Sequence, residues 1–287
     1  MTNKIYPCLW FDGNAKAAAE LYCSIFKNLT ITVDTPMVIN FELNGQKFMG
    51  LNGGTMFKPN PSVSFYAVLE TEEEMDFAWQ KLSENGKVMM PLNVYPWSPK
   101  YGWVQDEFGI SWQLTLGKIA DVGQQFSPAM MFVGEQHGRA EEAISFYTST
   151  FKNALTKFIA RYEAGENDVT GMVKHAQFCL ENQTFIVMDS GFQHPFAFNE
   201  GISFVVDCEN QAEVDYYWDK LTADGGKESQ CAWLKDKFGV SWQIVPRQLM
   251  ILMGDKDRAK SNRVMDAMFK MKKIVIADLE KANRGES

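Results

Sequence analysis

The feature that most constrains this chain is an internal repeat. The hexapeptide Phe-Gly-x-Ser-Trp-Gln occurs at residues 108–113 and again at 238–243, each time with an Asp two positions before the Phe. Three further pairs of similar segments follow the same order along the chain: 11–28 with 132–153, 39–54 with 176–191, and 63–86 with 202–226. Collinear self-similarity of this kind is the signature of a repeated structural unit. The chain is therefore a duplication of one scaffold.

Each half begins with the same predicted elements. A short apolar strand, at 5–11 and then at about 129–134, precedes a helix with one apolar face. Three strands follow, and the last two form a hairpin with its turn at Asn44-Gly45 or Glu181-Asn182.

The same order then restarts inside each half, at strands 63–69 and 202–208. Each of these strands leads to a helix, and Gly86 and Gly225 stand where a helix C-terminal glycine belongs. The sequence thus predicts an α+β fold built from β-α-β-β-β modules, four in all.

The duplication also predicts the domain organisation: a first domain at 1–120, a second at 128–250 and a helical tail at 251–287. The polar segment 118–128 reads as a linker between the halves. The tail has no counterpart after the first half, and its apolar residues recur at helical spacing, at Val264, Met268, Met271 and Ile274.

Charge and composition disfavour several classes of protein. The formal net charge is −8 and no basic stripe occurs, which disfavours nucleic acid as a partner. No apolar stretch approaches the ~18 residues of a membrane span, and the first residues lack the apolar region of a signal peptide. The five cysteines are far apart and form no C-x-x-C motif, so we predict a cytoplasmic protein with reduced thiols.

Four segments resemble the PhnB-like, 3-demethylubiquinone-9 3-methyltransferase family: PCLWFDGNAKAAAELYCSIF, CENQAEVDYYWDKLTADGG, CAWLKDKFGVSWQIVP and VMDAMFKMKKIVIADLEKA. The resemblance covers essentially the whole chain. It implies two tandem domains of the glyoxalase/bleomycin-resistance fold, in the vicinal-oxygen-chelate superfamily. In that fold, paired modules form a cupped eight-stranded sheet around a pocket. The resemblance further implies a pseudo-dimer within one chain. Pairing of modules within or across the halves, and a homodimer of whole chains, stay open.

The superfamily resemblance also implies where a metal would bind. Metal-dependent members carry His or Glu at the pocket-facing ends of the first, fourth, fifth and eighth strands. The corresponding positions here are Pro7 or Cys8, Asn52, Val63 or Ser64, Gln113, Ala129 or Met130, Asp189, Ile202 or Ser203, and Gln243. Asp189 is the only ordinary carboxylate ligand among them, and Gln is a poor ligand for a divalent ion without charged companions. We therefore predict no metal site.

The methyltransferase name of the family implies S-adenosylmethionine as a cofactor. Binding such a cofactor in the usual doubly wound fold requires a glycine-rich turn between a strand and a helix. The first such turn here, FDGNAK, contains one glycine. We therefore predict no cofactor and take the name as a statement of lineage.

Few titratable residues are candidates for catalysis. The three histidines all lie in the second half, and His175, at the start of the strand HAQFCL, is the first candidate together with Asp189. The alternative for His175 is a strand-end residue that bonds water or backbone. His137 and His194 are predicted to be loop and turn residues.

The segment PLNVYPWSPKYGW, residues 91–103, carries four aromatic rings among three prolines. We predict a stiff loop that forms a lid over an apolar or aromatic ligand, with a loop packed on its own domain as the alternative. The second half is shorter here by about ten residues. The predicted ligand-pocket residues are Trp10, Asn52, Tyr95, Trp97, Tyr101, Gln113 and Gln243.

Three hypotheses for function remain. The first is a small-molecule-binding protein that holds an apolar or aromatic ligand without a metal. The second is an enzyme, a lyase, an isomerase or the methyltransferase of the family name, acting on an oxygen-rich or quinone-like substrate. The third is a structural or regulatory role in which the tail docks a partner.

Overall fold

The computed structural model describes residues 4–27 and 29–286, and it confirms the predicted α+β fold of four β-α-β-β-β modules. The first module consists of β1 (Ile5–Phe11), α1 (Ala15–Ile25), β2 (Leu29–Asp34), β3 (Val38–Leu43) and β4 (Gln46–Asn52). The second consists of β5 (Val63–Leu69), α2 (Glu72–Ser83), β6 (Lys87–Tyr95), β7 (Ser98–Gln105) and β8 (Ser111–Leu116).

A short helix, α3 (Ile119–Val122), lies between the two halves. The third module consists of β9 (Phe126–Phe132), α4 (Ala140–Thr150), β10 (Leu155–Arg161), β11 (Val173–Leu180) and β12 (Gln183–Asp189). The fourth consists of β13 (Ile202–Cys208), α5 (Gln211–Thr222), β14 (Lys227–Glu228), β15 (Trp233–Lys235) and β16 (Ser241–Pro246), and the tail follows with α6 (Arg247–Met253), α7 (Arg258–Met268) and α8 (Ile276–Arg284).

The chain divides into two compact units, Tyr6–Ile202 and a unit made of Lys4, Ile5 and residues 203–286. The first unit contains a complete eight-stranded sheet in the order β10-β11-β12-β9-β5-β8-β7-β6. The antiparallel pairing of β5 with β9 joins its two halves, for example at Ser64 and Ala129. The second and third modules therefore pair across the boundary between the sequence repeats, and each predicted domain contributes one module to this sheet.

The first module also lies in the first unit, with its strands in the order β1-β4-β3-β2. The second unit has the matching order β13-β16-β15-β14 and the three tail helices. In both modules the first and last strands run parallel, β1 with β4 and β13 with β16.

Alternation of side chains gives the eight-stranded sheet two different faces. Helices α2 and α4 pack on one face, where Phe65, Trp112 and Phe178 are fully buried. Trp79 of α2 lies so close to β7 that a Cβ at Gly102 would come within 2.4 Å of its ring. Burial of these large rings contributes to the apolar area that drives this part of the chain to fold.

The repeated hexapeptide forms the turn before the last strand of its module. Asp106 Oδ1 accepts hydrogen bonds from the backbone N–H groups of Phe108 and Ile110, each at 2.9 Å, as expected for a turn aspartate. Its Oδ2 accepts from Tyr22 Oη at 2.8 Å and Trp112 Nε1 at 2.9 Å. Burial raises the pKa of Asp106 to about 6, against the four hydrogen bonds that favour the carboxylate.

The second copy of the turn repeats this arrangement. Asp236 accepts from the N–H groups of Phe238 and Val240 and from Trp242 Nε1, at 2.9–3.1 Å. Both aspartates therefore hold the turn before the last strand of their module.

The segment 91–103 is not the predicted loop. Residues 87–105 form a long hairpin of β6 and β7 with a tight turn at Pro96-Trp97. Shifts of register along β6 accommodate Pro91, which has no N–H to donate to the sheet. This segment is a strand because β7 pairs with β8. The proline content of the segment does not predict such a pairing.

Three smaller predictions need correction. Gly86 was predicted as the C-terminal glycine of α2, but the residue with left-handed backbone there is Asn85, with φ 58°. Position 86 requires glycine for another reason, because a Cβ there would lie 2.5 Å from the Leu82 oxygen. The segment 118–128 is not a plain linker, because it contains α3 and the first residues of β9.

The tail is helical as predicted, but it is divided into separate helices, and Met271 and Ile274 lie between α7 and α8. The backbone oxygens of Met271 and Lys272 accept hydrogen bonds from Cys231 and Ala232, which explains the break. Val264, Ile274 and Leu279 are fully buried in the core of the second unit.

Candidate functional site

The candidate site lies on the face of the eight-stranded sheet opposite α2 and α4, which we call the open face. The strand register places nine central side chains on it: Ser64, Tyr66, Tyr101, Trp103, Gln113, Met131, His175, Gln177 and Met188. They come from six strands and from both sequence repeats, so the face exists only because the second and third modules pair.

A chain of buried polar groups forms the floor of the open face. Tyr101 Oη donates to Gln113 Oε1 at 2.8 Å, and Gln113 Nε2 donates to Ser64 Oγ at 2.8 Å. In the second unit Gln243 Nε2 likewise donates to Ser203 Oγ at 3.0 Å. The Gln of the repeated motif therefore holds the first strand of its module to the last, a structural role that both copies retain.

The β6–β7 hairpin forms one wall of the open face. The rings of Tyr95 and Trp97 stack with centroids 5.0 Å apart, and the ring of Tyr101 meets each of them edge-on at 5.6 and 5.8 Å. Trp97 is 58% exposed, unusual for so large an apolar ring. Deeper in the wall, Trp103 is buried and donates from Nε1 to Ser111 Oγ at 2.6 Å.

His175 on β11 lies on the opposite side of the face. Its ring stacks on Phe158 of the edge strand, with centroids 5.6 Å apart, and meets Tyr66 edge-on at 6.1 Å. Burial lowers the pKa of His175 to about 4, so the imidazole is neutral near pH 7. A neutral imidazole carries one N–H donor and one nitrogen acceptor.

Apolar side chains cover much of the floor between the two walls. Tyr101, Trp103, Met131 and Val133 form a buried cluster, and Tyr66, Met90, Tyr95, Met188 and Phe196 pack against it half-buried. Phe196 belongs to the segment after β12, which a bond from Ser62 Oγ to the Ala197 oxygen at 3.2 Å ties to the rest of the first unit. Methionine side chains adapt their shape easily, which suits a surface that admits a ligand.

Asp189, the predicted carboxylate candidate, faces α4 and not the open face. Its Oδ1 accepts hydrogen bonds from the N–H groups of Gly138 and Ala140 at the start of α4, at 2.8 and 3.2 Å. Its Oδ2 accepts from Val173 N–H at 3.0 Å. Asn52 does the same in the first module, where its Oδ1 accepts from Ala15 N–H at 3.0 Å. Both residues cap the first helix of their module.

The predicted pocket residues do not all come together. Tyr95, Tyr101 and Gln113 lie on strands of the eight-stranded sheet, and Trp97 lies in the turn between β6 and β7. Trp10 lies on β1, where its Nε1 donates to the Gly54 oxygen at 2.7 Å and its ring contacts Phe57. Asn52 lies on β4, and Gln243 belongs to the second unit.

The other two histidines have specific partners near the end of β12. His137 Nε2 lies 3.1 Å from Asp168 Oδ1, so its ring is hydrogen-bonded and half-buried rather than solvated as predicted. Desolvation opposes ionisation of Asp168, but bonds from the N–H groups of Gly191 and Val169 and the nearby His137 lower its pKa. His194 Nε2 lies 2.8 Å from Ser190 Oγ, and burial lowers the pKa of this histidine.

Sequence reasoning missed several residues of the open face, chiefly Tyr66, Trp103, Met131 and Met188. Tyr66 lies two residues after Ser64 on β5. Trp103 lies on β7, three residues before Asp106. Alternation along these strands was a usable signal, but it selects a face only once the pairing of modules is known.

The model of one protein family, described as 3-demethylubiquinone-9 3-methyltransferase, matches residues 3–115 and 124–245. The chain belongs to this family. Both copies of the duplication match its model separately, so the chain is a tandem member of the 3-demethylubiquinone-9 3-methyltransferase family.

The chain is also similar to several solved structures. A PhnB protein from Bacillus cereus, described as a 3-demethylubiquinone-9 3-methyltransferase, is 38% identical over 40% of this chain and 100% of its own, with a TM-score of 0.38. Glyoxalase I from Zea mays is 12% identical over 84% of this chain and 91% of its own, with a TM-score of 0.55. A point mutant of that enzyme gives a TM-score of 0.57 at 13% identity, again over 84% of this chain and 91% of its own. Among curated proteins, none matches the chain.

The glyoxalase-type fold implies a metal site, and the open face permits a test of it. Ser64 and Ala129 occupy the first-strand positions, and Gln113 occupies a last-strand position. Met188, and not Asp189, faces the same way on β12, opposite Met131. A hydroxyl, an amide, a thioether and a methyl group do not fit a divalent ion, which requires carboxylate or imidazole ligands.

The family name implies S-adenosylmethionine, and the first strand-to-helix turn permits a similar test. The turn between β1 and α1 contains Gly13 with φ 80°, and the amide of Asn52 already bonds the N–H of Ala15 at the start of the helix. That N-terminus is therefore occupied by a side chain of the protein, and the turn does not fit a nucleotide cofactor. No helix among residues 4–27 and 29–286 is long and apolar enough to cross a membrane.

Proposed function

We propose that this protein binds a small apolar or aromatic molecule on the open face of its eight-stranded sheet, without a metal ion. The single observation that carries the proposal is the ring set of Tyr95, Trp97 and Tyr101 on the long hairpin, with Trp97 58% exposed. Aromatic side chains that stack beside a sheet face offer flat apolar surfaces for another ring.

The surrounding chemistry supports binding rather than metal-assisted reaction. At the implied ligand positions the open face carries Ser64, Gln113 and Ala129, with Met188 beside Asp189, which is turned away from this face, and none of the four is a strong ligand for a divalent ion. Gln113 is also held by Tyr101 and Ser64, so its amide orients the floor of the face. All five cysteines are free thiols, which supports the predicted cytoplasmic location.

A second candidate function is metal-independent catalysis, and one residue favours it. His175 is a neutral, half-buried imidazole whose ring meets that of Tyr66 edge-on, and one nitrogen of a neutral imidazole can accept a proton from a substrate. In that case His175 is the general base, acting on a small oxygen-rich or quinone-like substrate. Asp189 does not join it, because three backbone N–H groups occupy its carboxylate.

Calorimetric titration with naphthalene derivatives, in the presence of a chelator, tests the proposed function. We expect saturable binding that the chelator does not change and that Trp97→Ala weakens about tenfold, since a stacked ring contributes on the order of 1 kcal/mol. Tyr216→Ala, which removes another exposed ring on α5, is the matched control and should bind as the wild type does. Binding that vanishes with the chelator, or that is equal in both variants, would contradict the proposal.

A further inference from the structure

We infer that the ligand of the open face is an uncharged aromatic molecule, and that the side chain at the position of His175 decides whether this face admits a charged ligand. The inference rests on the proposed function, because it concerns the same face. It adds the chemical class of the ligand and a residue that determines specificity.

The four central strands of the sheet are β12, β9, β5 and β8, and all of them lie within the described part of the chain. None of them carries a charged side chain on the open face. Their side chains on this face are hydroxyls, amides, thioethers, aliphatic groups and one phenol: Ser64, Tyr66, Val68, Ser111, Gln113, Thr115, Ser127, Ala129, Met131, Thr184, Ile186 and Met188. A charged ligand placed here leaves water without gaining a partner of opposite charge. That desolvation costs several kcal/mol for an unpaired ion.

The charged groups that flank this surface lie on the edge strands. Lys87 is exposed at the start of β6. Lys157 on β10 donates from Nζ to the Val122 oxygen at 2.6 Å and to Thr184 Oγ1 at 2.9 Å, which directs it toward the segment between the halves. Neither ammonium group reaches the centre of the sheet, where Tyr66 and His175 meet.

His175 is the group near the centre that could supply a positive charge. It is packed between the rings of Phe158 and Tyr66, and Gln177 Nε2 lies 3.5 Å from its Nε2. Burial keeps this imidazole neutral, and the four central strands offer no carboxylate on this face that could pair with a protonated ring. The neutral ring offers a ligand a hydrogen bond but no counter-ion.

The equivalent position in the first module is Val38, because the segments 39–54 and 176–191 align residue for residue. Val38 lies on β3 and His175 on β11, each one strand away from the helix-capping strand of its module. The polar group was therefore introduced or retained in one copy only. This pair supplies a matched control for the test.

Three probes that share one ring separate the effects of charge and stacking. We propose titrating the full-length protein, near neutral pH, with naphthalene that carries a hydroxymethyl, a carboxylate or an aminomethyl group. The uncharged alcohol should bind at least about tenfold more tightly than either ion. An ion that binds as tightly as the alcohol would overturn the inference while leaving the proposed function intact.

Substitution of His175 makes the test specific. His175→Lys should shift the ratio of carboxylate to alcohol affinity by about tenfold or more in favour of the carboxylate, and His175→Asn should keep the wild-type ratio. Val38→Lys, in the first module, should not change the ratio. An unchanged ratio in folded His175→Lys, checked by circular dichroism, would refute the assigned role of His175.

Failure of the proposed function has a different signature. If none of the three probes binds to the wild-type protein at any accessible concentration, the open face is not an aromatic site, and both the function and the inference fall. Should His175→Lys not fold, the wild-type ratio of the three affinities and the ratio in His175→Asn still decide the charge selectivity.

Discussion

The hairpin that precedes the repeated motif differs sharply between its two copies. In the second module β6 and β7 have 9 and 8 residues, whereas β14 and β15 of the fourth module have 2 and 3. Both hairpins lead into the same Phe-Gly-x-Ser-Trp-Gln turn. Only the long copy carries the stacked rings of Tyr95 and Trp97. The scaffold has been kept in both copies, and the wall that a ligand would meet has been kept in one.

The physical reason for this difference lies in where each group is buried. The turn aspartates and the Gln–Ser pairs are buried in both copies, and each bonds several groups that would otherwise be unsatisfied. The hairpin tip is exposed, so its length and its rings contribute little to folding. Selection for stability therefore preserves the turn, and the tip is free to diverge.

The largest effect is expected from removing the turn aspartates. Asp106→Ala leaves three buried donors and one half-buried donor without a partner and should lower the free energy of unfolding by about 3–5 kcal/mol. Asp236→Ala should cost a similar amount in the second unit. Denaturant unfolding measures both. Glu107→Gln and Lys237→Gln, at the next residue of each turn, are the controls. A loss below about 1 kcal/mol in either alanine variant would mean that the copies no longer share their scaffold.

An intermediate effect is expected from pH, and it should distinguish the third module from the first. The folded state holds His175 with a pKa of about 4, below the usual value of 6.5, so it binds fewer protons than the unfolded state between these values. His175 therefore leaves the free energy of unfolding unchanged above about pH 6.5. As the pH falls toward 4, it lowers the free energy of unfolding by up to ~3 kcal/mol.

His175→Val, which copies the residue of the first module, should remove this part of the pH dependence. Urea unfolding of both proteins at several pH values gives the comparison, and a chemical-shift titration of the His175 ring gives its pKa directly. Parallel stability curves for the two proteins from pH 6.5 to 4 would contradict the prediction.

The smallest effect is expected from exchanging the two helix-capping residues. Asp189→Asn keeps an oxygen for Gly138 and Ala140 but turns an amide N–H₂ toward Val173 N–H, so it should cost about 1–2 kcal/mol. Asn52→Asp loses the bond from Nδ2 to the Pro36 oxygen and should cost a similar amount. Thermal unfolding measures both, and probe binding by Asp189→Asn should equal that of the wild type. A loss of binding without a loss of stability would return Asp189 to the candidate site.

Much of the scaffold was predictable because its signals are local or repeated. The alternation and helical spacing in each copy predicted every module, and the turns at Asn44-Gly45 and Glu181-Asn182 contain left-handed residues as expected of hairpin turns. The structure of 91–103 was not predictable in this way. Its prolines indicate a loop, whereas pairing with β8 makes residues 98–105 an inner strand of a sheet.

The candidate site was predicted only in part, for a related reason. Trp97 and Gln113 stood out by residue type and by the repeated motif, and they lie in the β6–β7 turn and on β8 of one sheet. Asp189 stood out as a carboxylate at a strand end, but an alternating strand turns it toward α4 and turns Met188 toward the open face. A difference of one residue in strand position reverses the side chain, and no single sequence reports that position reliably.

The sequence by itself therefore determined the duplication, the order of elements and the absence of strong metal ligands at the motif glutamines. The tertiary structure alone decided that the second module pairs with the third, since β5 joins β9 across the repeat boundary. That choice depends on long-range burial of Phe65, Trp112 and Phe126, whose pairing partners lie far along the chain. The pairing of these two modules places the β6–β7 hairpin of the first half and His175 of the second half on one face of the sheet. Neither copy of the repeat contains this face alone.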